Sequence, residues 1–328
     1  MRSKVPTGPT LHEAMSSAAR SLSWVKQVRL LETNWDRRSR RIFDPADLAE
    51  LYHENSKMRP INGLQQMLSS DVFQQPVMLE ATTGIGKRYP QFRHITLPDP
   101  VAPRSPLGEV ILRRRSIRKF TGEPMSIQDL SSLLYFTNGI TCRFDFKRPD
   151  TGAPLVHYFR ASPSGGGLYP VEIYVCLVNV ADTAPALCHY ETREHSLAIL
   201  DDSPGVVERT LRTFTAHPMF VRMDLASVVV LLTGVFERTY GKYGPRGYRY
   251  ALQESGHIAQ NVCLVSTALG YGSVAMAAFY DDEVNRLLGL DGVEEAVLYT
   301  LALGRSTEKV GRSVTPQNYE REVRTDEA

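Results

Sequence analysis

The chain has 328 residues, 42% of them apolar, and a formal net charge of +2. That length admits one large domain or two, and that apolar fraction is enough to bury a substantial core. The near-balanced charge excludes a broad nucleic-acid surface, and no apolar run reaches the ~18–20 residues that cross a bilayer. The start, Met1-Arg2-Ser3-Lys4, lacks the apolar segment of a signal peptide. The four cysteines, Cys142, Cys176, Cys188 and Cys263, form no CxxC pair and read as reduced thiols of a cytoplasmic protein. The eight histidines show no metal-binding spacing.

Residues 1–100 read as a mostly helical N-terminal extension. Ala14, Met15, Ala18, Leu22, Val25 and Val28 predict an amphipathic helix over 12–29. Asp44 and Pro45 are the N-cap and first position of a second helix that continues through Leu48, Leu51 and Tyr52. The proline-rich stretch 71–100 predicts an extended, linker-like segment. This region either covers the main core or docks a substrate or partner.

Residues 101–310 read as the main domain. In Arg113-Arg114-Arg115-Ser116-Ile117-Arg118-Lys119-Phe120, five of eight residues are cationic. Guanidiniums match phosphate oxygens two points at a time, and a hydroxyl adds a donor. A solvated basic turn is the plainer reading, but Ile117 and Phe120 pin the cluster to a core. Ser126 caps a helix with Asp129 at its third position, Leu130, Leu133 and Leu134 supply its buried side, and Asn138-Gly139 stops it. Residues 142–158 read as a polar, irregular surface loop.

Pro163-Ser164-Gly165-Gly166-Gly167-Leu168-Tyr169-Pro170 follows. Without a Cβ, glycine lets backbone N–H groups crowd a flat or anionic ligand, and the flanking prolines stiffen the turn. A wide turn with no ligand is the alternative. Val171–Val178 is a strand, residues 189–200 form a hairpin, and 204–216 read as helix. Ser227–Val235, nearly continuous in apolar residues, suits a central strand covered on both faces. Tyr240–Tyr250 packs four tyrosines and three cations into eleven residues. A long helix is predicted over 252–269, a short apolar run over 274–278, a helix over 281–288, and a last strand over 296–303 that ends in Gly304-Arg305. Residues 311–328 read as a charged tail, expected to be disordered after Gln317.

The Arg/Ser cluster, the proline–glycine loop, Lys242–Tyr250 and Glu254-Ser255-Gly256-His257-Ile258-Ala259-Gln260-Asn261 together resemble the nitroreductase-like flavoprotein superfamily. The closer resemblance is to its SagB-type dehydrogenases, the azoline oxidases of thiazole/oxazole-modified peptide pathways; Tyr52–Lys57 also resembles that subgroup. The resemblance implies an α+β fold, a mixed sheet flanked by helices with a helical N-terminal extension. It implies FMN bound in a homodimer, an azoline-containing precursor peptide as substrate, and a cyclodehydratase complex as a further candidate partner. Arg114, Ser116 and Arg118 match the positions that hold FMN, with Arg115 adjacent and Arg305 a late phosphate contact. Pro163, Ser164, Gly165 and Gly166 match the loop that approaches the flavin ring, usually from the second subunit. Ala277 and Ala278 match the segment near the reactive ring nitrogen. Many nitroreductases carry an acid near Ala277, and its absence here leaves the backbone as the contact.

Lys242 and Tyr243 match the pair assigned to proton removal. Free lysine and tyrosine side chains titrate near ~10, so desolvation beside Arg246 and Arg249 is expected to lower the lysine. A surface turn is the competing reading of this pair. His257 is a rival base, better read as a structural histidine; Glu254 reads as structural, paired with an arginine. Two other functions stay open: an NAD(P)H-dependent nitroreductase or other small-molecule FMN oxidoreductase, and a flavin-free scaffold of a peptide-modifying complex.

Overall fold

The structure, a computed structural model, describes residues 48–57, 86–148, 151–216, 219–309 and 311. The helix expected over 12–29, the cap at Asp44-Pro45 and the tail beyond 311 lie outside the described residues. The chain divides into two compact units, Met1–Ser56 and Lys57–Ala328. In the first, α1 (Leu48–Asn55) continues the expected helix, and the Ser56 hydroxyl closes its end by donating to the Tyr52 carbonyl at 2.6 Å.

The second unit is built on a seven-stranded sheet. Its strands are β1 (His94–Thr96), β4 (Val171–Leu177), β5 (Ala186–Glu191), β6 (Ser196–Asp201), β7 (Val228–Val235), β8 (Gly272–Met276) and β9 (Glu295–Gly304). Their order is β1-β6-β5-β4-β7-β9-β8. The strand pairings are antiparallel, and parallel contacts enter through isolated bridges, Ser116 to Ser273 and Met125 to Val180. The stretch 86–100 is extended as expected, yet part of it is structural: β1 pairs with β6 at the sheet edge.

Alternation along β4 and β7 sorts side chains onto two faces. Ile173, Val175, Val230 and Leu232 point to one core, against Leu130, Leu133 and Leu134 of α3 (Ile127–Asn138) and Ile258 and Val262 of α6 (Gly247–Ala268). Tyr174, Cys176, Val229 and Leu231 point to the other, against Val206 of α4 (Val206–Arg212) and Val284 and Leu288 of α7 (Asp281–Leu288). Both faces are covered, so β7 is apolar along nearly its whole length, the expected pattern of a central strand. The cap of α3 is in place: the Ser126 hydroxyl accepts from the Asp129 amide at 3.0 Å.

Two expectations need correction. Residues 142–158 are no irregular loop: β2 (Ile140–Lys147) and β3 (Pro154–Arg160) form an antiparallel hairpin, a separate two-stranded sheet. Cys142, Phe144 and Phe146 alternate with Arg143, Asp145 and Lys147, a period of two that the charges disguised. The long helix starts five residues earlier than expected, at Gly247, directly after a 3-10 turn over Gly244–Arg246.

Candidate functional site

Sheet register assembles two clusters. Val171 of β4 pairs with Gly234 of β7, so the loop entering β4 and the helix leaving β7 meet at one sheet end. That helix, α5 (Glu237–Tyr243), carries Lys242 and Tyr243. At the other end Gly272 of β8 pairs with Gly304 of β9, which brings Tyr271 beside Arg305.

The first cluster surrounds the glycine loop. Gly166, Gly167 and Tyr169 have φ of 68°, 66° and 46°, left-handed values that glycine adopts freely and tyrosine rarely, with Leu168 right-handed between them. A Cβ built on Gly166 would lie 2.6 Å from the Tyr243 hydroxyl and 2.9 Å from Lys242 Nζ. One on Gly167 would lie 2.7 Å from His157 Nε2, and one on Gly165 would touch the Tyr250 ring at 3.5 Å. The Lys–Tyr pair therefore sits directly on the loop, on a helix rather than in a surface turn. Tyr243 meets Tyr250 edge-on at 4.6 Å between ring centroids. Burial, and then Tyr250, pushes the Tyr243 phenol above its ordinary pKa. It keeps its proton at neutral pH and is able to donate a hydrogen bond. Burial also pushes the His157 imidazole below its ordinary value.

Behind the loop lies a buried charged network. Tyr169 is fixed twice: its carbonyl accepts from Arg238 Nη1 at 2.7 Å, and its hydroxyl accepts from the Arg160 amide at 2.9 Å. Arg238 also pairs with Glu172 at 2.6 Å, and His189 Nε2 lies 2.9 Å from that carboxylate. Burial alone would raise Glu172, but Arg238, His189 and Arg160 together hold it well below the usual carboxylate range. Glu254, only 2% exposed, differs. Neither of its oxygens closes a hydrogen bond of normal geometry. Burial pushes its pKa up to about 7, against the pull of Ser164, Arg160, the Val171 amide and Arg238. The expected arginine pairing of Glu254 is thus a loose electrostatic one. The Ser164 hydroxyl accepts from the Tyr169 amide at 2.9 Å, which leaves its own proton for Glu254. His257 lies on the exposed face of α6, not in a satisfied core position.

The second cluster follows the β8 edge. Ile117 N–H donates to the Ser273 carbonyl at 2.9 Å and Ser116 bridges Ser273, so residues 116–118 run along β8. Arg305 stacks 4.1 Å over the Tyr271 ring and donates to the Gly270 carbonyl at 3.1 Å. Tyr271 in turn donates to Asp129 at 2.8 Å. Arg115 turns back to the carbonyls of Leu112 and Arg114, at 2.9 and 2.8 Å, closing α2 (Leu107–Arg113). The adjacent amides of Arg118 and Lys119 both donate to the Glu308 carboxylate, at 2.9 and 3.1 Å. A carboxylate in that position shows that the turn accepts an anion. A cavity of about 260 Å³ opens here between Arg113, Arg115, Thr267, Tyr271 and Glu308. Ala277 and Ala278 are exposed just past the end of β8, about 16 Å from Gly272 at ~3.3 Å per residue.

The two clusters lie toward opposite ends of α6. Tyr250, at the glycine loop, and Thr267, at the basic cavity, are both on α6 and about 25 Å apart at 1.5 Å per residue.

Residues 111–305 match the nitroreductase family. The chain belongs to the nitroreductase family. It is 34% identical over 203 residues to the nitroreductase-family protein MJ1384 of Methanocaldococcus jannaschii, covering 62% of this chain and 92% of the relative. Two further relatives are processing proteins of microcin B17 and trifolitoxin. The microcin B17-processing protein McbC of Escherichia coli is 28% identical over 148 residues, 44% of this chain and 53% of its own. The trifolitoxin-processing protein TfxB of Rhizobium leguminosarum is 26% identical over 151 residues, 45% and 40% respectively. The chain thus spans about half of McbC and two-fifths of TfxB. A solved nitroreductase-family structure from Anabaena variabilis shares the fold with a TM-score of 0.57 at 24% identity, over 81% of this chain and 48% of its own. One from Ralstonia eutropha does so with 0.52 at 22% identity, over 69% and 95%.

Within this nitroreductase-family chain, sequence reasoning gave no individual role to three residues of these clusters. Tyr250 and His157 press on the glycine loop, and Glu308 sits on the Arg118 and Lys119 amides. The alternation in β3 could have found His157; nothing local marks Glu308. Among the described residues no group of acidic, histidine or cysteine side chains is arranged for a metal, and no helix is long and apolar enough to cross a membrane.

Proposed function

We propose that this protein is an FMN-dependent dehydrogenase that oxidises thiazoline or oxazoline rings of a ribosomally made peptide to the azoles. The observation that carries this reading is the approach of Lys242 Nζ and the Tyr243 hydroxyl to Gly166. A lysine amine and a phenol that keeps its proton stand together against a loop whose glycines let them approach that closely. The relation to McbC and TfxB supports a peptide substrate.

The residues present fit FMN. The Arg118 and Lys119 amides already hold an anion, and Arg114, Ser116, Arg118 and Arg305 would take the phosphate and polar chain, with Arg115 at their margin. Ala277 and Ala278 would offer backbone N–H groups to the ring. Pro163, Ser164, Gly165 and Gly166 would cover the ring. When bound, FMN supplies the hydride acceptor. The chain does the rest. Lys242 takes the proton from the ring carbon, and Tyr243 donates a hydrogen bond that orients the substrate. Cationic and N–H groups offset the negative charge that develops on the cofactor side.

The 25 Å gap along α6 supports a homodimer, in which the basic edge of one copy meets the glycine loop of the other. The chemistry suits the cytoplasm, and a cyclodehydratase would supply the azoline. Incubation with an azoline-bearing peptide should give a two-dalton mass loss per ring; a flavin-loaded protein that leaves such peptides unchanged refutes the reading. The match to MJ1384 across most of that relative favours a second reading, an NAD(P)H-dependent nitroreductase. Rapid anaerobic bleaching of the flavin by NADH or NADPH would select it.

A further inference from the structure

Lys242 and Tyr243 stand at the end of α5, a helix of 7 residues with no side-chain cap at Phe236. That is far shorter than the ~12–15 residues at which an isolated helix begins to hold, so tertiary contacts fix where α5 sits. The Thr239 hydroxyl lies 3.1 Å from the Phe236 and Gly247 carbonyls, which ties α5 to the start of α6. Arg238 ties it to the sheet and to the glycine loop. Its Nη1 lies 2.6 Å from Glu172 of β4 and donates to the Tyr169 carbonyl at 2.7 Å. A guanidinium nitrogen at that position carries two protons, so both bonds form at once.

Both acceptors are themselves held. Glu172 is buried, accepts from the Lys87 amide at 2.9 Å, and has His189 Nε2 at 2.9 Å. Burial works against its charge, and Arg238, His189 and Arg160 outweigh burial. Tyr169 ends the glycine loop at a φ of 46°, which a tyrosine keeps only where its surroundings hold it. The Arg160 amide holds its hydroxyl, and Arg238 holds its carbonyl. Arg238 also lies four residues before Lys242, one turn earlier on the same side of α5. One guanidinium therefore joins the helix that carries the Lys–Tyr pair to the loop on which that pair rests. The fit there is close: a Cβ on Gly166 would lie 2.6 Å from the Tyr243 hydroxyl and 2.9 Å from Lys242 Nζ.

We propose that Arg238 is a positioning residue of this site: by binding the Tyr169 carbonyl and Glu172 together, it sets the spacing between the glycine loop and the helix that carries Lys242 and Tyr243. It acts through Lys242 and not on the substrate, and the proposal rests on the reading of Lys242 as the base given above. A misplacement of about 1 Å at a reacting group can cost on the order of a hundredfold in rate, so a clamp of this kind is felt in kcat. A lysine at 238 keeps a positive charge beside Glu172 but loses the planar fork that fixes two acceptors in set directions.

Kinetics and amide hydrogen exchange of the full-length holoprotein test this in Arg238→Lys. For an azoline peptide, kcat should fall at least tenfold, with KM within about threefold of wild type and FMN content unchanged. Exchange should speed up together over residues 164–171 and 237–243, while β7 stays as slow as in wild type. On a Lys242→Ala background, Arg238→Lys should cost less than about twofold more, because the group it positions is gone. Arg238→Met paired with Glu172→Gln removes both charges, so no buried carboxylate is left without its counter-ion, and it should show the same kinetic fall in a folded, yellow protein. A kcat within twofold of wild type in either Arg238 variant overturns the proposal, and so does a fully multiplicative loss on the Lys242→Ala background. Faster exchange throughout β7 makes Arg238 an ordinary structural residue and overturns it as well. If flavin-loaded wild type leaves azoline peptides unchanged, the reading of Lys242 as base fails, and exchange alone judges Arg238: joint acceleration of loop and α5 retains the clamp, and unaltered exchange removes it.

Discussion

Replacing Glu254 by glutamine should stabilise the protein at alkaline pH and leave it nearly unchanged at acid pH. Glu254 is buried beside Ser164, and its pKa rises from 4.5 to about 7. In the unfolded chain the carboxyl ionises near its ordinary value. Between those two values the folded state holds a proton that the unfolded state has lost, so stability falls as pH rises through this window. Above about 7 both states are ionised, and the full penalty, roughly 3 kcal/mol, is felt. Below 4.5 both are neutral and Glu254 contributes nothing to the pH dependence. Glutamine fills the same space and cannot ionise. Arg160, Arg238, His189 and Glu172 remain in both proteins, so the difference between them isolates Glu254. At ~2.1 cal/mol/K per residue, the expected gain in melting temperature for Glu254→Gln is about 4 °C at pH 8 and near zero at pH 4.5. Scanning calorimetry from pH 4.5 to 8.5 reads it. A difference that stays flat, or that grows toward acid pH, would show an ionised Glu254 held by Arg160 and Arg238 and refute the reasoning.

Other predictions concern the site. Lys242→Ala should cut azoline oxidation at least a hundredfold while the protein stays yellow, as for loss of a general base; unchanged turnover removes Lys242 from proton transfer. Arg114→Ala should purify FMN-poor with an unchanged melting curve in the absence of flavin, and a fully loaded variant would clear Arg114 of phosphate binding. Gly166→Ala puts a methyl group 2.6 Å from the Tyr243 hydroxyl at a φ of 68°. It should displace the Lys–Tyr pair and lower kcat at least tenfold with little change in FMN content; wild-type kcat would show that the pair need not touch the loop. Ser126→Ala removes the cap of α3 and should cost about 1 kcal/mol in denaturant unfolding without altering kcat.

The local patterns were legible wherever one physical effect dominated. Ser126 followed three residues later by Asp129 marks a cap in any context, and the unbroken apolar run Val228–Leu232 could only lie inside a covered sheet. The hairpin at 140–160 was obscured because exposed charges alternate with its aromatics, so mean polarity hid the period of two. The family resemblance rested on short motifs in a fixed order, and these survive without any knowledge of packing.

Tertiary structure alone decided what those motifs do together. Gly166 and Lys242 are far apart in the chain and meet because β4 and β7 are antiparallel neighbours, a pairing that no local signal fixes. The resemblance assigned the basic edge and the glycine loop to one flavin, the loop coming from a second subunit; that α6 holds them at opposite ends of one chain is visible only in the fold. Glu254 looked like any helical acid until β4 and the loop closed over it and removed its water. Propensity, caps and period are short-range properties that the sequence determines by itself; desolvation and long-range register depend on which surfaces the folded chain brings together.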